Sequence, residues 1–237
     1  MIELRPFNTL GAANHGWLDA RHHFSFANYH DPARVHWGAL RVWNDDKIAA
    51  GTGFPTHPHS DMEIITYVRT GAITHRDSMG NEGRTEAGDV QVMSAGSGVR
   101  HSEYNLEDGE TTLFQIWIIP DQRGGEPSWG ARQFPKDSRN GAFVALASGA
   151  ANDDDAAQGA LAIRADARVL GATIKAGDSV TYTPSRSDRH LYLVPATGKV
   201  RIGEVEANAR DGVAITQLDS VTITAIEDSE VVLVDAA

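Results

Sequence analysis

The chain contains no cysteine in 237 residues. That absence excludes a disulfide framework, a thiolate zinc site, an iron–sulfur cluster and any thiol nucleophile. A metal site here has to use nitrogen and oxygen donors. Basic residues are the minority: 21 Lys and Arg against 32 Asp and Glu leave a formal charge of −11. An acidic surface repels phosphate backbones, so no nucleic-acid partner is expected. Long apolar runs are missing too, and nothing approaches the roughly 18 uninterrupted apolar residues of a membrane span. The start, Met1-Ile2-Glu3-Leu4-Arg5-Pro6, lacks the basic-then-apolar build of a signal peptide. A cytoplasmic protein without membrane contact is the expectation. No segment carries a long amphipathic helical period, which argues against a helical bundle.

What is present is β texture. Runs such as Met62–Val68, Leu113–Ile119, Ser220–Ile226 and Glu230–Val234 are rich in Val, Ile, Thr and Tyr and are punctuated by Gly, Asn, Asp and Pro. Many short strands with turns between them predict an all-β sandwich or barrel. A faint repeat points to two copies. Ile65–Gly71 resembles Tyr192–Gly198 at an offset of 127 residues, and Ala87–Val90 resembles Asp211–Ala214 at an offset of 124. Each copy has the length of one β-barrel, about 100 residues. We divide the chain into a unit at 1–134 and a second at 135–237. Residues 120–135, with their glycines and prolines, read as the connector. Residues 147–159 read as a loop whose tip is the acidic run Asp153-Asp154-Asp155.

Histidine is the unusual entry. Nine of the ten lie within the first 101 residues, and only His190 lies beyond. Along a strand, residues at i and i+2 face the same way. His57-Pro58-His59 therefore aims two imidazoles at one point, and His101-Ser102-Glu103 adds an imidazole and a carboxylate in the same manner. Facing inward from two strands, His57, His59, His101 and Glu103 make three nitrogens and one oxygen, a set suited to a divalent transition ion. Ser102 points away from both its neighbours, which rules out a Ser-His-Glu triad. Ser94-Ala95-Gly96-Ser97-Gly98 lacks the lysine and helix of a phosphate loop and reads as a barrel turn.

The flanking glycines (Gly51, Gly71, Gly88, Gly96 and Gly98) together with Glu63 and Asn105 resemble the two motifs of the cupin superfamily. Ser94 stands where a proline is usual, and two extra residues precede His101. The match narrows further. Gly16-Trp17-Leu18, Phe24-Ser25-Phe26, Leu40-Arg41-Val42, Asn44-Asp45-Asp46, His57-Pro58-His59, Asp77–Asn81 and Arg100–Asn105 resemble the pirin family, densely over residues 14–120. Within the family the sequence especially resembles bacterial pirin-like quercetin 2,3-dioxygenases.

The resemblance implies a bicupin fold of two jelly-roll-like β-barrels with metal in the N-terminal barrel only. It carries over His57, His59, His101 and Glu103 as ligands of one divalent transition ion, with iron ahead of manganese, cobalt, nickel, copper and zinc. It implies an oxidoreductase that cleaves flavonols such as quercetin with O2 and releases carbon monoxide, with Glu103 as general base. The alternatives are a metal-bearing regulatory cofactor with a protein partner, as eukaryotic pirins resemble, and a cupin enzyme acting on another aromatic or enol.

The repeat agrees with a single site, because Pro184, Arg186 and Ala225 stand where His57, His59 and His101 would fall. Glu227 and His190 are then surface or structural residues. Glu63 competes with Glu103 as a ligand, or accepts from an imidazole N–H. His22, His23, His30 and His36 are expected to pack against Phe24, Phe26 and Trp37 or to line the pocket mouth. His75 is expected on an exposed hairpin. Phe54, Met93 and Trp117 are candidates for the wall of an apolar slot.

Overall fold

The structure is a computed structural model that describes residues 1–149 and 153–237, with the side chains of residues 153 and 154 outside the description. The chain folds as the expected all-β pair of barrels, each made of one large and one small sheet, antiparallel except where Val144–Gly149 pairs with Leu161–Ile163. In the first, the strands Val90–Ser94, Glu63–Thr70, Thr111–Ile118, Leu40–Ile48 and Leu18–His22 pair in that order. In the second, Gly212–Ile215, His190–Thr197, Ser229–Ala236, Ala167–Ile174 and Val144–Gly149 pair in the same order. Glu63–Thr70 and His190–Thr197 stand 127 residues apart, so the faint repeat is a true structural duplication.

Each large sheet gains an edge strand from outside its own barrel run. Ser128–Arg132 pairs with Val90–Ser94, so the expected connector contains a strand. Ile2–Arg5, at the start of the chain, pairs with Gly212–Ile215 of the second barrel.

The central strands are apolar on both faces because both faces are buried. Along Thr111–Ile118, Phe114, Ile116 and Ile118 join Trp43, Tyr67, Tyr192 and Val232 in a core between the barrels. Leu113, Gln115 and Trp117 alternate with them and face the first barrel's interior. Polar contacts tie the barrels together. Asp45, fully buried, accepts from Arg69 of its own barrel and from Arg210 Nε of the other at 2.5 Å. The buried Arg139 donates to the Tyr67 hydroxyl at 3.2 Å, and that hydroxyl donates to Glu230.

The acidic run is not a solvated tip throughout. Asp153–Ala157 is a short helix, and Asp155 is buried, accepting from Arg168 at 2.6 and 2.7 Å and from Ser148 at 2.8 Å. The side chains of Asp153 and Asp154 lie outside the described residues.

Candidate metal centre

The small sheet of the first barrel is ordered Gly53–His59, Val99–Tyr104, Ala72–Asp77, Glu82–Glu86. Gly53–His59 is its edge strand, the position that tolerates Pro55 and Pro58 without losing ladder hydrogen bonds. His57 lies directly opposite His101 and His59 opposite Val99, and the pairing slips before Glu103 reaches Phe54. This bulge twists the edge strand and sets the aim of the side chains beside it. On its other flank His101 faces Asp77 and Glu103 faces His75.

The ligand atoms of His57, His59 and His101 gather within 4.8 Å of one another. His57 Nε2 and His101 Nε2 stand 3.1 Å apart. Two nitrogens at right angles about one ion, with bonds of about 2.1 Å, would be about 3.0 Å apart. The Nδ1 of His57 lies 2.7 Å from the Pro55 carbonyl and donates its proton there, which leaves the Nε2 lone pair turned inward. Burial and then the neighbouring His57 hold His59 down at about 4. Burial, with His57 and His59 next, holds His101 down at about 2. Imidazole lone pairs gathered this closely repel one another unless a cation lies among them, so the donor set fits a single metal ion.

Glu103 lines the same cavity but falls in a second group with His75 and His101 rather than with all three imidazoles. Its carboxyl is drawn toward the sheet behind it. Oε1 accepts from Gln91 Nε2 at 2.6 Å and Thr66 Oγ1 at 3.3 Å, and Oε2 accepts from Gln115 Nε2 at 2.8 Å. Burial outweighs these donors and pushes its pKa up to about 7.

Those donors belong to a polar row crossing the large sheet: His22, Asn44, Gln115, Thr66 and Gln91, each paired with the next across adjacent strands. His22 Nδ1 meets Asn44 Oδ1 at 2.8 Å at one end, and Thr85 donates to Gln91 at 3.1 Å at the other. The corresponding row of the second barrel is Leu170, Leu233, Leu193 and Val213. These four residues belong to that barrel's filled apolar core. In the first barrel the apolar interior cluster is small, centred on Leu18, Ile48, Val68, Ile73 and Leu113, and a cavity of about 310 Å³ remains beside it.

Phe54 and Trp117 line that cavity as expected, joined by Phe26, Leu18 and Ala20. Met93 does not; it packs with Ile64, Ala95 and Val99. Glu63 is buried, accepts from Ser94 Oγ at 2.5 Å and joins neither donor group. His22 lines the cavity, whereas His23 is buried at the barrel interface, 2.9 Å from the Tyr192 hydroxyl. His190 packs edge-on against Trp37.

His75 corrects the expectation of an exposed hairpin. It is fully buried and stacked on Trp129, with 4.9 Å between rings and 9° between planes. Its Nε2 donates to Asp77 Oδ2 at 3.0 Å, and its Nδ1 lies 3.5 Å from His101 Nδ1. Asp77 is pinned in turn by the backbone of Met79 and Asn81 and by the Asn81 side chain. The alternation of Ile73, His75 and Asp77 carried this signal, but which face of the strand met Trp129 depended on the fold.

Two cupin barrels, one holding a cluster of metal donors above a cavity and the other filled, define a bicupin. Residues 4–118 match the family model described as Pirin, and residues 150–236 match the one described as Quercetinase C-terminal cupin domain. The chain belongs to the pirin family. It is 64% identical over 237 residues to a pirin-like protein of Caulobacter vibrioides, covering all of both chains. It is 45% identical to a quercetin 2,3-dioxygenase of Escherichia coli K12, covering 99% of this chain and 98% of that one. The solved structure of an Escherichia coli bacterial pirin in complex with nickel(II) superposes with a TM-score of 0.91 at 42% identity, covering 100% of this chain and 99% of the other. Among the described residues no helix is long and apolar enough to cross a membrane.

Proposed function

We propose that this chain is a metal-dependent dioxygenase that cleaves flavonols such as quercetin with O2 and releases carbon monoxide, acting in the cytoplasm. The observation that carries the reading is the position of the three-imidazole cluster at the wall of an apolar cavity large enough for a planar aromatic. The quercetin 2,3-dioxygenase named among its relatives supports the reaction class. In this reading His57, His59, His101 and Glu103 are the ligands, all within the unit at 1–134, and the unit at 135–237 carries none. The ion is a single divalent transition metal, with iron ahead of nickel, manganese, cobalt, copper and zinc.

When bound, the ion supplies Lewis acidity that lowers the pKa of an enolic hydroxyl. Glu103 accepts that hydroxyl's proton. Its Oε2, with the single donor Gln115, has the freer lone pair. Phe26, Phe54 and Trp117 hold the ring system and keep water away from it. Ring opening takes both atoms of O2 into the product and expels one ring carbon as carbon monoxide.

The test is turnover of quercetin by protein loaded in turn with iron(II) and nickel(II), read as loss of flavonol absorbance, O2 uptake and carbon monoxide release in equal amounts. Rates no higher than those of the metal-free protein would overturn the reading and leave a metal-bearing regulatory role. Elemental analysis of protein from its own host names the metal.

A further inference from the structure

We infer that Asp46 reads a ring hydroxyl of the bound ligand and makes the cavity selective for polyhydroxylated aromatics. The inference rests on the flavonol reading above. Asp46 projects from Leu40–Ile48 onto the cavity face, where its neighbours across the sheet are Ala20 and Leu113. It is 3% exposed, and its Oδ1 has no hydrogen-bond partner. The next polar residue on that face is Asn44, which bonds to His22, and beyond it Gln115, Thr66 and Gln91 bond to one another and to Glu103. The adjacent Asp45 points to the other face and is paired with two arginines. Asp46 stands alone: an acidic side chain set among apolar neighbours, lining a cavity, without a protein partner.

A buried polar oxygen with no partner destabilises the fold, and a site that retains one gains selectivity when the ligand supplies the missing bond. Burial first, then the charges of Asp45 and Glu103, push the Asp46 carboxyl well above the usual range. It can therefore donate as well as accept. A phenolic hydroxyl offers both a donor and an acceptor to such a carboxyl, whereas an unsubstituted ring edge offers neither. Phe54, Phe26 and Trp117 grip any planar ring without regard to its substituents, so discrimination has to come from a polar group such as Asp46.

The experiment titrates the nickel(II)-loaded full chain with quercetin and with 3-hydroxyflavone, whose one hydroxyl is on the ring that is cleaved. Quenching of tryptophan fluorescence reports binding. The wild type should bind quercetin about 10-fold more tightly or better, the factor expected of one good hydrogen bond to a buried group. Asp46→Leu should shrink that gap to within about 2-fold by weakening quercetin alone, and Asp46→Asn should keep part of it. Asp46→Leu should also raise the melting temperature of the ligand-free protein, because the unpartnered oxygen is gone. An unchanged gap in both variants, each folded by circular dichroism and carrying one nickel, would overturn the inference and leave the flavonol reading standing. Wild type that binds neither flavonol would overturn both.

Discussion

In the proposed reading four side chains carry the chemistry, and their neighbours decide whether they are ready for it. His57→Ala or His101→Ala should remove metal binding while the melting transition is kept, since the apolar clusters of the barrel contain neither residue. Elemental analysis beside a thermal melt checks this; full metal occupancy in either variant would contradict the assignment. The chain from Asp77 through His75 to His101 predicts a subtler effect. With a carboxylate accepting from His75 Nε2, His75 Nδ1 is an acceptor toward His101 Nδ1, which leaves His101 Nε2 as the lone pair facing His57. Asp77→Asn keeps the shape but weakens that preference. Metal affinity should fall about 10- to 100-fold. Competition with a chelator measures it.

At the scale of single elements, the strands show why half of the site was legible and half was not. The H-x-H and H-x-E spacings put the right residues on the right faces, because alternation is a property of any strand. Which strands become neighbours is not local, so spacing alone did not put His57 directly opposite His101, or His75 behind it. Thr66 and Gln115 did leave a trace: each interrupts an apolar run. Their meaning appeared only when Gln91 and Glu103 arrived from other strands. Gln91→Leu removes the 2.6 Å bond to Glu103 and should cost about 1.5–3 kcal/mol of stability, measurable by urea denaturation. The second barrel's row has no such bond to lose, because it is already apolar.

The whole molecule is held by a buried interface between the barrels, and its pH response follows from what is buried there. His23 is fully enclosed, and burial, then Arg5, keeps its pKa well below the usual 6.5. Above 6.5 the imidazole is neutral in both folded and unfolded chains and stability is full. Below it the unfolded chain takes a proton that the folded one refuses. Stability should then fall by up to about 1.4 kcal/mol per pH unit from this one group. His23→Gln should flatten the acid limb between pH 6.5 and 5 in a series of melts. The strand Ile2–Arg5 gives a second test. Removing residues 1–5 bares the edge strand Gly212–Ile215 and takes the buried Arg5 from the rings of Phe24, Trp37 and Tyr192. The melting temperature should drop and self-association rise, with one metal still bound per chain. Retained metal with lowered stability separates this strand's role from that of the metal centre.

Residue order alone pointed to an all-β, duplicated chain with the candidate metal donors gathered in one copy, because strand alternation, turn glycines and donor spacing are read from the sequence and need no partner strand. Tertiary structure decided the rest. It buried His75 and tied Glu103 to the polar row. It filled one barrel with leucines where the other keeps a cavity, and it left Asp46 facing that cavity unpaired. Each of these depends on which distant strand lies alongside, and that is settled by packing two sheets and two barrels against one another.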